Sequence, residues 1–247
     1  MDQAWKYKQG YDVRLYETNA DGVATVRTIA NYMTDAAITH ADSLGYDMQE
    51  LRKQNIYWVL THLYAKFYNF PKKGDPVEIY TWPSSVDRLF FRREFEVLSP
   101  SSEPYALAMS RWVLINIGTR KLERVPAPMI TALTPKEPEF TIDEPSWKIP
   151  SLENGTEVGS FRVRLSDIDK NRHVSNVHYI DWVVESAACA RENDARLKEL
   201  EIIFKTEAVD RDKVLSRALN SDEKSYTHGL FRESDGQELI RARTLWE

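Results

Sequence analysis

The feature that most constrains this chain is that it repeats itself. Val13-Arg14-Leu15 recurs as Val163-Arg164-Leu165, an offset of 150 residues (13 to 163), and Ala36-Ala37 recurs as Ala187-Ala188 at nearly the same offset. Around both matches the pattern runs in one order: a short alternating stretch, a polar turn, a helical apolar run, then strands. Chance can supply a three-residue match, but that shared order is better explained by duplication of one unit. At 247 residues and 42% hydrophobic side chains, the chain has enough apolar mass for two such cores.

In the first copy, Tyr11 to Leu15 reads as a strand, Asn19 to Gly22 as a turn, and Ile29, Met33, Ala36, Ala37, His40 and Leu44 as one helical face ending at Gly45. Strands are expected at Tyr57 to Phe70, Val77 to Trp82, Phe90 to Leu98 and Ala106 to Ile117, parted by Pro71 to Asp75 and Ser99 to Ser102. Prolines and acids then gather between Val125 and Pro150, which reads as a connector. In the second copy, Phe161 to Leu165 alternates and Val177, Ile180, Val184 and Ala187 recur at helical spacing, with Ser175 and Asn176 as caps. Strands follow at Leu200 to Lys205, Lys213 to Leu219, Tyr226 to Arg232 and Leu239 to Trp246. The expected class is α+β, each long helix wrapped by an antiparallel sheet, divided as 1–125, a connector at 126–158, and 159–247.

Several functions are disfavoured at this level. The first residues lack an apolar core of signal-peptide length and no run approaches a membrane span, so the expected location is cytoplasmic. Cys189 is the single cysteine; it excludes an internal disulfide and reads as a small buried hydrophobe. Asn154-Gly155-Thr156 matches a glycosylation sequon but reads as an ordinary turn without a secretory route. A net charge of −5 argues against non-specific nucleic-acid binding.

The polar turns separate the copies chemically. Asp167-Ile168-Asp169-Lys170-Asn171-Arg172-His173 puts two carboxylates, a carboxamide and an imidazole on the turn before the second helix. At the 150-residue offset, Asn19, Asp21 and Val23 stand where Asp169, Asn171 and His173 do, so the first copy has no equivalent imidazole. Asp167 matches Glu17, an acid in both copies, and this favours a structural role for it. Capping is the plain alternative for the whole cluster. Calcium is rejected because Arg172 stands where the loop needs glycine and His178 where it needs glutamate. Zinc through His173 and His178 fails because five residues on a helix turn the side chains apart.

Asp169-x-Asn171-x-His173-Val174-x-Asn176-Val177-x-Tyr179-Ile180-x-Trp182 resembles the signature of the acyl-acyl-carrier-protein thioesterases, double-hotdog enzymes that release free fatty acids. Lys205-Thr206-Glu207-Ala208 followed by Asp212-x-Val214-Leu215 resembles that family's second motif. Ile56 to Leu60, Gly74-Asp75-Pro76-Val77 and Trp82-Pro83 resemble its amino-terminal hotdog, and the likeness runs from about Tyr7 to the end. The resemblance implies a tandem hotdog whose first half binds the acyl chain without catalysing. It implies Asp169, Asn171, His173 and Glu207 as the site, acyl carrier protein bearing a phosphopantetheine-linked acyl chain as partner, and no cofactor or metal. Many plant members carry a cysteine directly after the glutamate; here that residue is Ala208, which favours a mechanism through water.

Hydrolysis of a thioester needs an attacking group, a base and an oxyanion partner. Glu207, expected on an apolar strand, gains basicity from partial burial and is the first choice for activating water. Asn171 reads either as a nucleophile or as a polarising group, and backbone N–H groups near Val174 to Asn176 are expected at the oxyanion. Arg88, Arg92, Arg93, Arg120 and Lys121 form a basic stretch that is either a solvated strand face or a landing surface for the acidic carrier. The competing functions are an acyl-coenzyme A thioesterase, a hotdog hydratase or dehydratase, and an acyl-binding module without turnover. Chain-length preference and oligomeric state, a homodimer included, stay open.

Overall fold

Thr25 accepts the Thr28 N–H and starts α1 (Val26–Ser43), which buries Ile29, Tyr32, Met33, Ala36, Ala37 and His40 along one stripe. Gly45, at φ +80°, supplies the left-handed residue that ends it. The structure is a computed structural model that describes residues 5–153, 155–190 and 195–247, with side chains at all of these but 188–190. Asn154 and the Cys189 side chain, singled out in the sequence, therefore lie outside the described residues.

The chain divides into two units, Met1–Leu63 with Phe67–Glu144, and Tyr64–Lys66 with Pro145–Glu247. In the first, β1 (Tyr7–Asp12), β2 (Ile56–Phe67), β3 (Pro76–Val86), β4 (Phe91–Leu98) and β5 (Pro104–Asn116) lie in the order β1-β3-β4-β5-β2. The pairs β1–β3, β3–β4 and β4–β5 are antiparallel, and α1 packs on β3, β1 and β4. A short α2 (Met48–Lys53), capped by Asp47, leads into β2, and β6 (Leu122–Glu123) adds a brief pairing to β5.

The connector expected at 126–158 is more than a linker. Pro126, before the first turn where its missing N–H costs nothing, leads into α3 (Ala127–Leu133). Met129 and Leu133 of α3 join Val125, Leu51, Ile56, Phe91 and Leu114 in one buried cluster, because the proline-rich stretch carries apolar residues at helical spacing. At its other end, β7 (Thr156–Arg162) already belongs to the second sheet.

The second unit repeats the plan with α4 (Asn176–Ala190), β8 (Leu197–Phe204), β9 (Lys213–Asn220), β10 (Ser225–Arg232) and β11 (Glu238–Trp246). Its sheet runs β8-β11-β10-β9-β7, antiparallel wherever the register is defined, with α4 against β9, β7, β10 and β11. Ile180, Val183 and Ala187 of α4 are fully buried, as are Ile202, Val214, Leu230 and Ile240 of the sheet. Burying each large aliphatic side chain contributes about 1.5–3 kcal/mol before chain entropy is counted.

The repeat holds at the level of single hydrogen bonds. Asn19 N–H donates to Val23 O at 2.9 Å as Asp169 N–H does to His173 O at 2.9 Å, and Thr25 N–H reaches Glu17 O at 3.1 Å as Ser175 N–H reaches Asp167 O at 3.0 Å. A second offset, 137 residues (71 to 208), relates the later parts: Ala24 N–H to Pro71 O at 2.8 Å matches Val174 N–H to Ala208 O at 3.0 Å. One expectation is corrected in both copies. Leu15 and Leu165 do not end strands; each opens a three-residue 3-10 turn and is exposed, 68% and 79%, and the strands before them end at Asp12 and Arg162.

Candidate active site

Asp169 shapes the turn ahead of α4. Its Oδ1 accepts the N–H of Asn171 at 2.7 Å and of His173 at 3.3 Å, while its carbonyl accepts the Arg172 N–H at 3.0 Å. Asn19 does the same in the first unit, its Oδ1 accepting from Asp21 N–H at 3.0 Å and Val23 N–H at 3.2 Å. The turn is thus common to both units, which differ in the side chains it presents. The other oxygen of Asp169 accepts from the Asn171 carboxamide nitrogen at 3.5 Å, which orients that group.

His173 and Glu207, from the two separate motifs, meet: Nε2 lies 3.3 Å from Oε2, with the side chains 22% and 33% exposed. This pair is buried on one side and open to solvent on the other. His173 Nδ1 is buried and has no hydrogen-bond partner among the described residues. Glu207 sits on the loop after β8, not on a strand as expected, since Lys205 and Thr206 N–H both turn to Leu239 O and end the ladder. The Ala208 side chain is fully buried.

Two expected oxyanion donors are otherwise engaged. Val174 N–H donates to Ala208 O and Ser175 N–H to Asp167 O, each at 3.0 Å, because the turn must be stitched to both neighbours. Asp167 is 1% exposed and accepts from Arg164 N–H at 2.9 Å and Nη2 at 3.1 Å. Burial opposes its charge, but the Arg164 hydrogen bonds and the nearby His178 outweigh it and hold the carboxyl below its usual range. His178 is buried with Nδ1 3.7 Å from Asp167.

Sequence reasoning gave no role to two residues that touch the glutamate loop. Tyr179 receives the Ala208 N–H at 2.7 Å on its hydroxyl, and Arg232 donates through Nη2 to Glu207 O at 2.6 Å. Tyr179 stood inside the first motif, but Arg232 lies on β10 and only the sheet register brings it here.

The basic stretch does not survive as one surface. Arg93 shares the inward face of β4 with Phe91, Phe95 and Val97 and is buried, donating to Thr81 Oγ1 and paired with His40 Nδ1, each at 3.1 Å. Arg92 is nearly covered and ion-paired to Glu94 at 2.6 Å, so both leave the landing surface, while Arg88, Arg120 and Lys121 are exposed. The first unit also holds an apolar cavity of about 80 Å³, lined by Ala37, Ile38, Trp58, Phe91, Trp112 and Leu133 among others. Among the described residues no three His, Cys, Asp or Glu side chains gather as a metal site, and no helix is long and apolar enough to cross a membrane.

Comparison with known proteins finds matches to both halves of the chain. A family model described as the acyl-ACP thioesterase N-terminal domain matches residues 4–133, and one described as the acyl-ACP thioesterase C-terminal domain matches residues 151–247. Oleoyl-acyl carrier protein thioesterase 1 of Arabidopsis thaliana, a chloroplastic protein, is 32% identical over 97% of this chain and 75% of its own length. The chloroplastic palmitoyl-acyl carrier protein thioesterase of Gossypium hirsutum is 31% identical over 97% of the chain and 63% of its own length. In fold, the chain is similar to an acyl-ACP thioesterase from Bacteroides thetaiotaomicron, with a TM-score of 0.87, 22% identity and all of both chains covered. The 12:0-ACP thioesterase from Umbellularia californica gives 0.86 at 22% identity over 99% of this chain and 98% of that one.

Proposed function

The chain belongs to the acyl-acyl-carrier-protein thioesterase family, a double-hotdog family of thioester hydrolases, and from that premise we propose that its chemistry is carried by Asp169, Asn171, His173 and Glu207. The reaction is hydrolysis of the thioester of a fatty acyl-carrier protein to free fatty acid and carrier thiol. One observation supports the site above the others: the imidazole of the first motif and the carboxylate of the second lie 3.3 Å apart.

In the proposed sequence of steps, Glu207 takes a proton from a water at the open side of the pair, and the water oxygen forms a bond to the thioester carbonyl carbon. His173, through Nε2, fixes the carboxylate in the attacking direction. The Asn171 carboxamide, oriented by Asp169, polarises the carbonyl oxygen in place of the engaged backbone donors of Val174 and Ser175. The carbon–sulfur bond then breaks, and the thiolate recovers the proton held by Glu207. No side-chain nucleophile is needed, in keeping with a fully buried Ala208.

The acyl chain is assigned to the first unit, where Trp58, Phe91 and Trp112 line an apolar cavity that at about 80 Å³ must widen to admit a fatty hydrocarbon. Arg88, Arg120 and Lys121 remain as the carrier's landing surface, a salt-sensitive attraction by its nature. The enzyme has to share a compartment with its carrier substrate, and a cytoplasmic location is part of the same proposal.

Thiol release from matched acyl-carrier and acyl-coenzyme A substrates tests the reading. The expected result is faster hydrolysis of the carrier form, with an advantage that shrinks as salt is raised. Equal rates on both forms at every salt concentration would remove the docking assignment. A change in enoyl absorbance without thiol release would point instead to hydration chemistry.

A further inference from the structure

The loop that carries Glu207 is tied down around a single peptide unit. The Glu207 carbonyl accepts from Arg232 Nη2 at 2.6 Å, the Ala208 N–H donates to the Tyr179 hydroxyl at 2.7 Å, and the Ala208 carbonyl accepts from Val174 N–H at 3.0 Å. Arg232 is fixed in turn: Nε donates to Asp212 Oδ2 at 3.1 Å and Nη1 to Asp235 Oδ2 at 2.8 Å, while the same Asp212 oxygen accepts Val209 N–H at 3.0 Å. Tyr179 is held edge-on between Trp182 and Phe204, at centroid distances of 5.4 and 6.3 Å. The two side chains that hold this peptide, those of Arg232 and Tyr179, are thus themselves fixed.

The first unit serves as an internal control. It keeps the backbone part of the device, Ala24 N–H to Pro71 O at 2.8 Å, and the loop-closing contact, Lys72 N–H to Asp75 Oδ2 at 2.8 Å. It drops the rest. Pro71, at the position of Ala208, has no N–H to satisfy, and the position of Tyr179 is Ile29, fully buried. Leu215 pairs with Phe231 as Glu78 pairs with Leu98, which puts Ser99 at the position of Arg232, and Phe70 stands where Glu207 does. The loop therefore folds without hydroxyl or guanidinium, and both occur only in the unit that bears the carboxylate.

We propose that Tyr179 and Arg232 are positioning residues for hydrolysis: they hold the Glu207–Ala208 peptide so that the carboxylate stays in register with His173 and the attacking water. The proposal rests on the reading of Glu207 as general base. A shift of about 1 Å in a base is enough to cost orders of magnitude in rate, so fixing the peptide matters more than its small contribution to stability.

Two conservative variants address the two ends of the peptide. Tyr179→Phe keeps the ring and its packing and removes one acceptor; Arg232→Lys keeps the charge and loses the fork. Each is expected to lower kcat about 10- to 100-fold on an acyl-carrier substrate, with KM changed less than about threefold. Thermal melting is read alongside, and either variant alone suffices if the other does not fold. In a Glu207→Gln background neither should add to the loss, because groups acting through one residue are not additive. Wild-type kcat in a folded single variant, or losses that multiply with that of Glu207→Gln, overturns the proposal. A wild-type rate in Glu207→Gln alone would instead remove the general-base reading on which it rests.

Discussion

At the residue scale, Ala208 decides between two mechanisms. Its side chain is fully buried and its backbone is bonded on both sides, so a thiol placed there would face packed protein and not an incoming carbonyl. Ala208→Cys is therefore expected to leave thiol release within about twofold of wild type, while overpacking lowers stability by about 1–3 kcal/mol. A large gain in hydrolysis, abolished by a thiol-alkylating reagent, would revive covalent catalysis. Arg93 shows the opposite lesson. Its charge made it a surface candidate in the sequence, yet its parity with Phe91, Phe95 and Val97 along β4 puts it inside. Alternation outranks residue type when a strand has a covered face.

At the scale of the element, the turn before α4 separates shape from chemistry. Asn19 reproduces in the first unit the backbone contacts that Asp169 makes in the second, so Asp169→Asn should keep the turn and change the melting temperature little. Asp169→Ala removes the acceptor for two N–H groups and should cost about 1 kcal/mol. Equal melting temperatures for the two variants would show that the carboxylate does not organise the turn. Much of this element was legible in the sequence. The spacing of Val177, Ile180 and Ala187 marked α4, the offset of 150 residues located the turn, and the resemblance supplied Glu207 as its counterpart. The 3-10 turns at Leu15 and Leu165 were hidden because three residues of alternation look the same in a strand. Arg232 was invisible for a different reason: its meeting with Glu207 depends on the pairing of β10 with β9, a long-range register that no local pattern encodes. Likewise α3 was masked by the prolines around it, although Met129 and Leu133 carry the helical spacing.

At the scale of the whole molecule, each unit buries a histidine that constrains behaviour in acid. Burial, joined by the charge of Arg93, lowers His40 from 6.5 to about 3, and burial alone lowers His228 from 6.5 to about 3. Below pH 6.5 the unfolded chain takes up protons that the folded chain refuses, so the free energy of unfolding falls as pH drops toward 3. The slope is at most about 1.4 kcal/mol per pH unit for each histidine. Denaturant titrations at pH 7 and pH 5 should show that loss in the wild type and a smaller one in His228→Gln; an identical loss in both would mean that His228 does not contribute. The same duplication that gave each unit a helix and a sheet left the imidazole–carboxylate pair in the second alone, with Val23 and Phe70 at the matching positions of the first. That division of labour is tested most directly by kcat for thiol release from an acyl-carrier substrate in the wild type, His173→Ala and Glu207→Gln. Turnover is expected to fall about two to four orders of magnitude in each variant with the melting temperature retained. Near-normal turnover in either folded variant would contradict the site proposed for this enzyme.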